Sequence, residues 1–125
     1  MTDDEKKRLA NDPDGLLTYE YIANHIGTDE LEIDWLTDNM IRVDPNGQFT
    51  GSAARYLHAI NPEEYAAQIG MLIAATIDKD REHRYLGSLM QGIYGDDCEN
   101  RAAELSVSDN NFRRIYKRLY PTSAL

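Results

Sequence analysis

Glycine and proline divide this chain into short stretches, and within most of them apolar residues recur at intervals of three and four. That spacing is the signature of amphipathic helices. In "LLTYEYIANHI" the positions Leu16, Tyr19, Ile22, Ala23 and Ile26 share one face, and Gly27 follows as a stop. Thr28 caps a next helix with Asp29 and Glu30 in its first turn, an inner stripe of Ile33, Leu36 and Met40, and Trp35 on its flank. A short helix covers Ala53, Tyr56, Leu57 and Ile60. "NPEEY" is a start signal, with Asn61 as cap and Pro62 in the first turn, ahead of Tyr65, Ile69, Leu72, Ile73 and Thr76. Leu86, Leu89, Met90 and Ile93 form the next set, ending at Gly95. Residues 62–94 suit one helix or two, and so long a helix is unusual in a small domain, so a break is expected near "DKDREH". Asp97 caps a further short helix through Leu105, and Ser108 caps the last, which Pro121 stops.

The expected fold is therefore all-α, six or seven helices in a compact bundle. The exception is "IRVDPNGQFT", where Ile41, Val43 and Phe49 flank Asp44-Pro45-Asn46-Gly47 and predict a tight turn with a short β-hairpin near residues 41–50. Three regions follow: a flexible polar start over 1–15, an acidic helical region over 16–80, and a C-terminal trihelical unit over 81–125. At 125 residues they are expected to share one core. The longest apolar run, "IGMLIAATI", is too short to cross a bilayer, and "MTDDEKKRLA" lacks the apolar segment of a secretion signal. A single cysteine, Cys98, cannot form an internal disulfide, so a reducing cytoplasm is the expected location.

Charge separates the chain into two parts. The formal net charge is −9, yet residues 98–125 hold 5 bases against 3 acids, while residues 1–97 hold 8 against 19. An acidic body repels nucleic acid at long range, so any DNA contact must be local. The local feature is "RAAELSVSDNNFRRIYKRLYP". Ala102 serves as a small contact residue, Leu105 closes one helix, Ser106 and Val107 form a turn, and Ser108 caps a second helix with Phe112 and Ile115 inward. On a helical wheel Phe112, Ile115, Tyr116 and Leu119 fall together, with Asn110, Asn111, Arg113, Arg114, Lys117 and Arg118 opposite. Arg and Asn suit guanine and adenine edges and Lys suits phosphate. The helix dipole accounts for cations in the last turn, Lys117 and Arg118, but not for Arg113 and Arg114.

This order of Ala, Leu, Val, Ser and a later apolar residue resembles the helix-turn-helix DNA-binding family, with Ser106 where that family usually has glycine. With "REHRYLGSLMQGIYG" ahead of it, the region 81–120 also resembles the trihelical C-terminal domain of bacterial sigma factors. No aromatic and basic cluster in residues 1–80 matches their promoter-melting domain. The resemblance implies a small transcriptional regulator that binds double-stranded DNA through Asn110, Asn111, Arg113, Arg114, Lys117 and Arg118. The opposing reading ties these cations to Asp78, Asp80 or Glu82 of the acidic body.

The same spacing recurs in "YIANHIGTDELEIDWL", where Ala23, Ile26, Gly27 and Ile33 match Ala102, Leu105, Ser106 and Phe112; with "IRVDPNGQF" as a wing it resembles a winged helix. Its second helix carries Asp29, Glu30, Glu32, Asp34 and Asp38, which phosphates would repel. Those five suit a basic protein partner, as in an adaptor, an inhibitor of a basic protein or a DNA mimic; the plain alternative is two amphipathic helices around a glycine. His25, His58 and His83 are too scattered for a metal site, and "DKDRE" and "DPNG" lack the ligands and glycine placement of a calcium loop. No catalytic constellation stands out, so neither enzymatic activity, metal nor cofactor is expected.

Overall fold

Asp12, Asp44 and Asp80 organise this protein, and all three are buried. In the computed structural model, which describes residues 1–122, each follows the end of one helix and accepts hydrogen bonds from the backbone at the start of the next. The helices are α1 (Asp3–Ala10), α2 (Leu16–His25), α3 (Ile33–Val43), α4 (Gln48–Ile60), α5 (Ala66–Lys79) and α6 (Leu86–Tyr94). A 3-10 turn (Cys98–Arg101), α7 (Ala102–Ser108) and α8 (Asn110–Leu119) complete the order.

The Asp44 carboxylate shows the device in full. One oxygen accepts from the N–H groups of Asn46 and Gly47 at 3.1 and 3.0 Å, the other from those of Phe49 and Thr50 at 3.1 and 2.8 Å. Asp12 accepts from the N–H groups of Asp14, Gly15 and Thr18 and from the Thr18 hydroxyl. Asp80 accepts from the N–H groups of Arg84, Tyr85 and Leu86. These bonds satisfy N–H groups that a helix start leaves without partners. The first two loops read Asp-Pro-Asp/Asn-Gly-x-Leu/Phe-Thr, residues 12–18 and 44–50. The third keeps the Asp and places His83 three residues on, at φ 57°, where Gly15 and Gly47 stand at 107° and 89°.

The helices these loops join stack on one another: α1 contacts α3 and α3 contacts α5, α2 contacts α4 and α4 contacts α6, and α4 packs most extensively against α5. Cations at the ends of later helices close carbonyls of earlier loops: Arg42 donates to the Ala10 carbonyl at 2.9 Å and Lys79 to the Asp44 carbonyl at 2.7 Å. Gly47 is required twice, by its positive φ and because a β-carbon there would lie 3.3 Å from the Thr76 carbonyl and the Asp80 side chain. One hydrophobic cluster runs from Leu9 through Leu36, Leu57, Leu72 and Leu89 to Ile115. α8 packs across α5 and α6 and closes the end of the stack.

Several expectations change here. There is no β-hairpin near 41–50, and no strand among the described residues. Ile41 and Val43 end α3 and Phe49 begins α4, because Asp44 caps α4 locally and leaves the backbone no reason to pair across the turn. Residues 1–15, expected as a flexible start, contain α1. Thr2 and Glu5 form a reciprocal capping box and Leu9 is fully buried. Eight α-helices among the described residues thus replace the six or seven expected. The break within 62–94 lies at residues 80–85, which overlap "DKDREH" (78–83), near the expected place. Asn61 accepts from the N–H groups of Glu63 and Glu64, but the turn it caps precedes α5, which begins only at Ala66. The region 81–125 shares the core through Leu86, Phe112 and Ile115, and its last three residues lie outside those described.

Candidate nucleic-acid interface

α8 has the sharpest division between a buried and a charged side of any helix here. Phe112 and Ile115 are fully buried, while Asn110, Arg113, Lys117 and Arg118 are exposed. Ten residues carry four cations and no acid. The helix starts where Asp109 accepts a hydrogen bond from the Phe112 N–H at 3.0 Å. The same carboxylate oxygen accepts from the Tyr94 hydroxyl at 3.1 Å. Burial, then the Asp109 charge and hydrogen bond, push the Tyr94 phenol well above its usual range, so it stays a donor. This carboxylate occupies the positive end of the helix and leaves it closed to an incoming phosphate.

The turn differs from the one the spacing predicts. Ser106 and Val107 belong to α7, and Asp109, not Ser108, is the cap. A single residue with extended backbone, φ −136° and ψ 110°, separates the two helices. Asp109 makes this break because its side chain replaces the lost helical partner of the Phe112 N–H. Ala102 and Phe112 are both buried, as a two-helix contact requires.

The six basic-helix residues do not act alike. Arg114 is half-buried and pairs with Asp78 at 2.9 Å, which fastens α8 to the end of α5. Asn111 is half-buried and its amide lies 3.5 Å from the Gly70 carbonyl of α5, a long contact that nevertheless points it inward. Arg113 donates to the Asn110 side chain on its own helix. Arg113, Lys117 and Arg118 have no carboxylate within ion-pair distance among the described residues. The structure therefore leaves three cations and Asn110 facing outward.

An aromatic ladder that the spacing only half reveals runs along the same helix. Tyr94 meets Phe112 edge-on at 5.1 Å between centroids, Phe112 stacks on Tyr116 at 5.7 Å, and Tyr116 lies 4.8 Å from Tyr120. The ladder begins in the core and ends on an exposed ring, since Tyr120 is 37% exposed. Its hydroxyl donates to the Glu99 carboxylate, a hydrogen bond that raises the phenol's pKa. The wheel grouped Phe112 with Tyr116, but Tyr120, one turn further on and exposed, was not singled out.

The five acidic positions are all exposed, and three are partnered within the protein. Glu32 binds the chain's amino group at 3.0 Å and Lys6 at 3.1 Å, and these hydrogen bonds hold its carboxyl below the usual range. Asp34 accepts from Gln68 at 2.8 Å, and Glu30 lies 4.0 Å from His25. Asp29 and Asp38 have no such side-chain partner among the described residues. No group of three or more metal-ligating side chains occurs among the described residues, and no described helix is long and apolar enough to cross a membrane. No protein-family model, curated protein or solved structure matches this chain.

Proposed function

We propose that this protein is a small nucleic-acid-binding regulator of the helix-turn-helix kind, which contacts DNA through the outward face of α8. The observation that carries the reading is the set Arg113, Lys117 and Arg118, exposed on a helix without acids and free of ion pairs among the described residues. The rest of the protein is strongly acidic, whereas α8 gathers four cations and no acid. At physiological salt the screening length is about 8 Å, which mutes the distant acids more than the contacts themselves. With the helix N-terminus closed by Asp109, phosphate contacts fall to the side chains of the middle and last turns.

Fluorescence polarisation with a random-sequence duplex over a salt series tests this. Three neutralised phosphates give a slope of log K against log salt of about −2.7. A flat salt response, or no binding of duplex or single strand at low salt, removes the reading.

A second reading has its own support. Arg114 is tied to Asp78, and α8 closes the end of a helical stack, where a last element needs a polar outer face for solubility. On that reading α8 is a cap, and the protein is an interaction module that meets a basic partner through exposed carboxylates such as Asp29 and Asp38. It predicts no affinity for nucleic acid at any salt concentration.

A further inference from the structure

We propose that the face of α8 takes an unpaired nucleic-acid strand in preference to a duplex, with a base stacked on the exposed Tyr120 ring and the backbone along Arg113 and Lys117. This rests on the nucleic-acid reading above and names the form of the ligand.

Position on the helix comes first. At about 100° per residue, Tyr116 and Tyr120 lie within about 60° of Arg113, and Lys117 lies on its other side. The two rings therefore border the cations directly. Strand chemistry comes second. A duplex hides the faces of its bases inside its own stack, so an exposed ring beside its phosphates has nothing to stack on. An unpaired strand offers a base face and a phosphate at each step, and a ring beside a cation matches both.

Fixed geometry comes third. The Tyr120 ring is held by Tyr116 at 4.8 Å and by its hydroxyl bond to Glu99, so little freedom remains to be lost on binding. Glu99 sits at the hydroxyl end of the ring, and its charge repels phosphate there. That directs the backbone toward Arg113 and Lys117.

Polarisation titrations of the full chain with a mixed-sequence single-stranded oligonucleotide and with its duplex decide the matter. Tighter binding of the single strand is expected. Tyr120→Ala should weaken single-strand binding about 5- to 150-fold, which is the ~1–3 kcal/mol of one base–aromatic stack converted to affinity. It should leave duplex binding nearly unchanged, and Tyr120→Phe, which keeps the ring, should retain single-strand affinity. Thermal melting of both variants confirms that each is folded. Equal affinity for the two forms with Tyr120→Ala indifferent overturns this inference and leaves the nucleic-acid reading standing. So does a loss in Tyr120→Phe as large as in Tyr120→Ala. Binding of neither form by the wild type ends both.

Discussion

Helix α8 and the stack of helices α1 to α6 use charge in opposite ways. In the stack, Asp12, Asp44 and Asp80 are buried and their oxygens accept backbone hydrogen bonds. Arg42 and Lys79 reach across to carbonyls of earlier loops. Much of the charge there is construction. On α8 only Arg114 reaches across to a carboxylate, while Arg113, Lys117 and Arg118 extend from the molecule. Net charge alone therefore misleads: part of the −9 is consumed inside the fold, and a few exposed cations keep their reach.

The largest way to break that comparison is to remove a structural carboxylate. Asp44→Ala strands the N–H groups of Asn46, Gly47, Phe49 and Thr50, and should cost about 2–4 kcal/mol in urea unfolding, the range for a lost cap plus buried unsatisfied donors. A cost near that of a surface substitution would mean the loops do not depend on their acids.

Acid is the next probe, and Asp12 is the group to follow. Burial alone would raise its carboxyl pKa, but the hydrogen bonds from Thr18, Gly15 and Asp14 outweigh burial and hold it below the usual value of 3.8. A carboxyl depressed by folding contributes stability above its unfolded pKa and loses it as pH falls through the folded one. Wild type should thus exceed Asp12→Asn in urea midpoint at pH 5 to 7, with the gap narrowing below about pH 4. A gap that persists unchanged to pH 2 would contradict the role given to this carboxylate.

A smaller effect sharpens the likeness among the three loops. His83 holds the left-handed backbone that Gly15 and Gly47 hold without a side chain. His83→Gly should raise stability by about 0.5–1 kcal/mol, since relief of the left-handed strain exceeds the added freedom of the unfolded chain. Gly47→Ala should do the reverse, because its β-carbon meets the Thr76 carbonyl as well as an unfavourable φ. Thermal melting reads both, and equal signs would show that the third loop is not a variant of the other two.

Much of the fold was legible because helical spacing and stop residues are local. The stripes through Ile22, Leu36, Leu72 and Leu89 all reach the core. The hairpin expectation failed because Asp-Pro-Asn-Gly carries turn chemistry that serves a helix-to-helix link as readily as a strand-to-strand one. The two Asp-Pro loops stand 32 residues apart in plain view, yet their kinship to Asp80 shows only in the hydrogen bonds, since His83 hides the glycine position. On α8 the wheel placed Phe112, Ile115, Tyr116 and Leu119 inward and Asn110, Asn111, Arg113, Arg114, Lys117 and Arg118 outward; of the outward six, Asn111 and Arg114 are half-buried. It could not place Asn111 against Gly70, a contact set by where α5 lies, whereas Asp78 stood among the acids named for these cations and takes Arg114 alone of the four.

Reversing two free cations tests the central claim most directly. In Arg113→Glu/Lys117→Glu, melting and nucleic-acid binding are measured on the same sample. If these charges serve a ligand, stability should change by no more than about 0.5 kcal/mol per substitution, while affinity for nucleic acid is lost. If the protein loses stability and the wild type has no affinity to lose, the cations belong to the fold, and α8 is a cap like the rest of the stack.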